Sequence, residues 1–152
     1  MSKALIEKYV TTVNEFLTLA KSFPGSDLSK SPADGGWSGA FVVHHIADSE
    51  AFFSTRFLFA LTENRPNIAT FDEKVSVKQL GYANRNTSKS ISAIEGSSNL
   101  ISDVLASVAE GEWNRISIHP ETGEMTITMI MEKVLSHYQA HIGQLREIKA
   151  AL

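Results

Sequence analysis

Leu135-Ser136-His137-Tyr138-Gln139-Ala140-His141-Ile142-Gly143-Gln144-Leu145 lies in a segment whose apolar residues recur at three- and four-residue steps, the pattern of an amphipathic helix. At that pitch the two histidines stack one turn apart on a single face, close enough to share one metal ion. The spacing alone is weakly specific. In a chain with five histidines such a pair arises readily by chance, and a metal site needs at least one more ligand. What matters is which other residues face this pair.

Working outward, Thr126 is suited to cap the helix that carries the pair to the C-terminus. Measured from His137, its inward stripe is Ile130, Val134, His141, Gln144, Ile148 and Leu152. Lys133 falls on that side as a misfit, expected to pack its stem and send the amine to the bundle end, with a cationic contact for a substrate as the lesser alternative. Before it, Arg115-Ile116-Ser117-Ile118 and Met125-Thr126-Ile127-Thr128 alternate around His119-Pro120-Glu121-Thr122-Gly123, which predicts a small hairpin or an extended loop. His119, ahead of a proline at a turn, reads as structural, with a fourth ligand or proton shuttle as the lesser alternative.

Residues 3–22 form an amphipathic first helix, and the Pro- and Gly-bearing stretch to Trp37 ends it. Ser38 then caps a second helix running to about Thr62. With ~100° per residue and His45 at zero, Phe41, Val42, Ser49, Phe52, Phe53, Arg56 and Ala60 all fall within roughly 80° of it. His45 therefore points inward. His44, on the flank with Asp48 and Thr55, is expected at an edge or on the surface. A connection of about 25 residues follows, with at most a short helical turn around Val75–Gln79, a length that suits an end-to-end crossover. A third helix over 87–109 buries Ile91, Ile94, Ile101, Val104, Leu105 and Val108, and Gly96-Ser97-Ser98 marks a place for a kink or break.

The chain is thus all-α, a four-helix bundle with a long crossover between its second and third helices, in a single domain over residues 1–152. Its length suffices to fold without staples. The net charge of −3, with 14 basic residues scattered along the chain, provides no stripe for phosphates and argues against a nucleic-acid partner. Apolar runs are too interrupted to span a membrane, and the N-terminus leads into an amphipathic segment rather than a signal core, so a cytoplasmic location is expected. The absence of cysteine removes disulfides, thiolate nucleophiles and thiolate metal ligands, so any metal must be held by nitrogen and oxygen.

Three inward histidines, His45, His137 and His141, would be costly in one core unless bonded, coordinated or lining a wet cavity. Coordination accounts for all three at once and leaves positions for water or substrate. The competing explanation is that each is an ordinary helix histidine paired with a neighbour.

Trp37-Ser38-Gly39-Ala40-Phe41-Val42-Val43-His44-His45-Ile46-Ala47-Asp48-Ser49, with His137-x-x-x-His141-Ile142-Gly143-Gln144 near the end, resembles the DinB/YfiT-like family of metal-binding four-helix bundles over nearly the whole chain. The resemblance implies an up-down-down-up topology. It maps the first ligand of the family motif onto His45, because Ile46-Ala47-Asp48 follows it, and the others onto His137 and His141. Ile142 departs from the arginine common at that place in the family. Ser49, Asp48, Arg56 and Gln144 are candidate substrate contacts or supports for the ligands.

The resemblance further implies a divalent metal, Zn²⁺ or Ni²⁺, activating water for hydrolysis or a small thiol for transfer to an electrophile. A thiol would arrive as co-substrate. The expected partner is therefore a small molecule. Rival readings are a metal- or ligand-binding bundle without turnover and a helical homodimer joined through exposed apolar faces.

Overall fold

Ser38 Oγ accepts the amide of Phe41 and Thr126 Oγ1 that of Met129, so the two helices bearing the histidines begin at the hydroxyls expected to cap them. In the computed structural model, which describes residues 2–152, the elements are α1 (Ser2–Lys21), α2 (Gly39–Thr62), α3 (Glu73–Gln79), α4 (Thr87–Ala106), β1 (Ile116–His119), β2 (Gly123–Thr126) and α5 (Ile127–Ala150). The four long helices make the bundle. β1 and β2 form the antiparallel hairpin, with Ile116 opposite Thr126 and His119 opposite Gly123. Gly123 closes that turn at φ 77°, where a side chain would be strained.

Side-chain pairings give the helix directions. Glu50 of α2 meets Tyr138 of α5 while Phe53 lies against His137, so residue numbers rise in opposite senses and the two helices are antiparallel. Glu15 with Arg146, and Ser22 with Lys149, make α1 parallel to α5. His44 with Ser90, and Ser54 with Ser97, make α2 parallel to α4. The topology is up-down-down-up, as the family resemblance implied. α2 is the most enclosed helix: His44, Ile46 and Glu50 are buried along with Val42, His45, Ser49 and Phe53.

Several local expectations are corrected. α4 is unbroken through Gly96-Ser97-Ser98 because the serines are used in packing: Ser97 Oγ lies 2.8 Å from Ser54 Oγ, and Ser98 is buried. It ends at Ala106, short of 109. The crossover contains two turns of α3, capped by Asp72, whose carboxylate accepts from Lys74 and Val75. Leu152, placed on the inward stripe of the last helix, is 48% exposed, since α5 has ended at Ala150. The buried face of α5 centres on Met131, Val134, Tyr138 and Leu145, so His137 and His141 stand at its margin rather than its middle.

The crossover is tied to the hairpin: the Ile68 amide donates to Ile118 O at 2.9 Å and the Ile118 amide to Pro66 O at 2.8 Å. This strap sets the residues that follow, Ala69 to Glu73, over the faces of α2 and α5 that carry the histidines.

Candidate metal centre

His45 on α2 and His137 and His141 on α5 converge, each offering a ring nitrogen within 4.8 Å of the others. The Nε2 atoms of His45 and His137 are 2.9 Å apart, and the ring of His141 lies 4.6 Å from each of the other two. Nitrogens bound to one tetrahedral ion at ~2.0–2.1 Å would be about 3.3 Å apart, so small side-chain rotations separate this cluster from a coordinating one. Gln144, one turn beyond His141, places Oε1 2.8 Å from His141 Nδ1. An amide oxygen can only accept, so the proton sits on Nδ1 and the Nε2 lone pair is free.

The electrostatics keep the rings neutral. Burial pushes His45 down to about 4, helped by the neighbouring His141. Burial pushes His137 down to about 3, with His141, His45, Arg56 and Lys133 adding to the effect. His141 is lowered for the same first reason, against the upward pull of Gln144 and Glu73. Three neutral imidazoles meeting at one place are a donor set for a divalent cation once the nitrogens that face one another are unprotonated, and among the described residues no carboxylate stands at hydrogen-bond distance from them. The residues fit such an ion. Trp37 and Phe71 pack on the His45 ring at 5.4 and 5.5 Å, and Phe53 on that of His137 at 5.9 Å, which fixes the rings in a largely apolar collar.

The other candidate residues divide. Ser49 is buried one turn after His45, with no partner for its Oγ among the described residues, and lines the cleft beside the histidines. Arg56 lines it too, two turns further on. Asp48 faces away: its carboxylate takes Arg85 Nη1 in a bidentate pair at 2.7 and 2.8 Å. His44 is not at an edge but 1% exposed, with Nδ1 2.9 Å from Ser90 Oγ and Tyr82 packed at 5.6 Å. The wheel angle placed it correctly on the flank of α2, and α4 covers that flank. His119 is 4% exposed; its Nδ1 accepts the Glu121 and Thr122 amides in the turn, while its ring also lines the cleft.

Three contributors gave no sequence signal. Phe71 and Glu73 come from the aperiodic crossover, and Glu73 Oε2 reaches to 3.9 Å from His45 Nε2. Glu50, at 2% exposure, accepts hydrogen bonds from Tyr9 and, at 2.7 Å, from Tyr138, joining α1, α2 and α5 just behind the histidines.

The fold and the convergence of imidazoles from two antiparallel helices at a cleft define a class: helical bundles with a histidine-lined site at one end. The chain belongs to the DinB superfamily, whose model matches residues 8–145. It is 27% identical over 153 residues to the Bacillus subtilis protein named "Putative metal-dependent hydrolase YfiT", covering 97% of this chain and 86% of that one. A similarly named Oceanobacillus iheyensis protein is 27% identical over 141 residues, 93% of this chain and 79% of the relative. The solved YfiT structure, described as a four-helix bundle of unusual topology, superposes with a TM-score of 0.85 at 24% identity over 97% of this chain and 85% of that one. A mycothiol-dependent maleylpyruvate isomerase shares the fold at a TM-score of 0.77 and 11% identity, over 95% of this chain and 60% of its own.

Proposed function

We propose that the chain is a metal-dependent enzyme acting on a small molecule, with His45, His137 and His141 as the ligands of a divalent cation, Zn²⁺ or Ni²⁺. The observation that carries this reading is the meeting of three neutral imidazoles at the end of an open cleft of about 240 Å³. The chemistry that a bound divalent cation supplies is Lewis acidity, which favours the deprotonated form of a water or thiol and polarises a carbonyl. The chain provides the rest. Gln144 holds the His141 tautomer, Trp37 and Phe71 fix His45, and the apolar collar limits water. Ser49 Oγ is a free hydroxyl able to hydrogen-bond a substrate oxygen.

Hydrolysis is the leading reaction, in keeping with the names borne by the relatives. Transfer of a small thiol is the second reading, supported by the shared fold of the mycothiol-dependent isomerase and by a chain that has no cysteine of its own. Metal analysis of protein purified without a histidine tag tests the centre: near one ion per chain is expected, and under about 0.2 would sink it. His141→Ala, His137→Ala and His45→Ala should each lose most of the metal. Assays of loaded protein on ester and amide panels, and on bacillithiol, mycothiol or glutathione with a chloro-aromatic or epoxide, separate the two reactions. Silence in all of them with metal in place would favour a binding protein without turnover.

A further inference from the structure

The cleft beside the histidines has a second pole. Along α2 its wall runs His45, Ser49, Phe53, Arg56, and along α5 it runs His137, Lys133, so both helices lead from the imidazoles to a cation. Arg56 is 6% exposed, yet among the described residues it has no carboxylate partner. Nε and Nη2 both donate to Ala69 O, at 3.1 and 2.5 Å, and its Cζ stands 5.0 Å from the Phe53 ring; Nη1 has no acceptor among the described residues. A buried guanidinium without a counter-ion is costly, and one that borders a cavity is satisfied by whatever anion the cavity admits. Lys133 lines the same end and is likewise without an ion pair among the described residues.

A third donor lies there. Because His119 Nδ1 accepts two backbone amides, its proton is on Nε2, and both Lys133 and Arg56 act on this ring and on His137. The carboxylates of the cleft, Glu73 and Glu121, are exposed at its rim and reach neither cation, so they leave the inner positive charge uncompensated.

We infer that Arg56, Lys133 and His119 form an anion seat, and that the substrate is a small molecule carrying a carboxylate or phosphoryl group at one end and its reacting group at the other. The two ends would be separated by roughly one helical turn measured along α5 and three along α2, about 5–16 Å, with an apolar middle against Phe52, Phe53 and Phe71. The role of the seat in selecting a substrate rests on the metal-enzyme reading above; the seat itself does not need the metal. Arg56, a candidate substrate contact in the sequence, thus packs its stem while its head faces the cleft.

Calorimetric titration of the zinc-loaded protein with phenylacetate, phenylphosphonate and the neutral phenylacetamide tests this, with zinc content measured on the same samples. The anions are expected to bind at least about tenfold more tightly than the amide, the equivalent of one charge-assisted hydrogen bond. Lys133→Met, a change at an exposed position, should remove most of that preference while zinc stays stoichiometric, and the preference should persist in metal-free protein. Arg56→Met is expected to abolish it, with circular dichroism to verify folding; if that variant does not fold, Lys133→Met decides alone. Whichever anion binds better identifies the seat's natural group. Equal binding of acid and amide, no binding up to about 10 mM, an unchanged Lys133→Met, or a preference that vanishes with the metal would each overturn the proposal, the last by showing direct coordination. Anion binding by a protein that takes up no zinc would leave the seat standing and refute the metal centre instead.

Discussion

Gln144 and His44 show what one residue can contribute to a site it does not form. The hydrogen bond from His141 Nδ1 to Gln144 Oε1 fixes which nitrogen is free, so Gln144→Leu is expected to weaken metal binding about 10- to 100-fold, measured by competition with a chromophoric chelator. His44 is buried against Ser90 and Tyr82 and belongs to the packing of α2 on α4. His44→Ala should lower stability by about 1–3 kcal/mol, from a lost buried partner and a small void, while the protein keeps its full metal content. Equal metal loss in His44→Ala and His45→Ala would mean that the two neighbours had been assigned the wrong way round. At this scale the sequence separates them, because about 100° of rotation per residue turns only one toward His137. It does not reveal that the other is buried too, since a wheel gives an angle about one axis and says nothing of what packs there.

Between elements, Glu50 is the clasp. Tyr9 of α1 and Tyr138 of α5 both donate to its carboxylate from across the core, so one side chain sets the approach of three helices and, through Tyr138, the placing of His137 next in sequence. No spacing marks it out: a glutamate among apolar residues looks like a solvent-facing position until partners from other helices are known. The caps at Ser38 and Thr126 were legible because they are local, whereas the Glu50 clasp depends on contacts 41 and 88 residues away. Burial raises the pKa of Glu50 above its ordinary value, against the lowering effect of the two tyrosine hydrogen bonds. The folded state therefore holds this proton more tightly than the unfolded state does, and stability contributed by Glu50 falls as pH rises from about 4.5 through the raised value. Glu50→Gln removes that titration and leaves the others. The melting temperature of wild type relative to Glu50→Gln should thus be lower at pH 7.5 than at pH 5, with roughly 2–4 °C for each kcal/mol. A difference independent of pH would refute the protonation argument.

Across the whole molecule, the bundle and its crossover were readable because apolar periodicity and loop length are properties of the chain itself. The cleft was not, because the residues that close it, Phe71 and Glu73, lie in an aperiodic strap positioned by hydrogen bonds to β1. Enclosure also changes the expected response to acid. Free imidazoles would release metal near about pH 6, where they gain protons. Here burial lowers His45 to about 4 and His137 to about 3, so these rings stay neutral well below that point. In the metal-free protein the unfolded chain takes up protons first: the stability due to these rings is complete above about pH 6.5 and is lost as pH falls from there toward about 4 and 3. A cation held only by the folded state adds to this by mass action, about 2.7 kcal/mol at a hundredfold excess over its Kd, or roughly 5–11 °C for a chain of this size. Scanning calorimetry at pH 7 and pH 5, with and without Zn²⁺, should show a large metal-induced rise at pH 7 and a reduced but still present one at pH 5. In His141→Ala the rise should be nearly absent at both. A rise of the same size in wild type and His141→Ala would place the bound metal somewhere other than the three histidines.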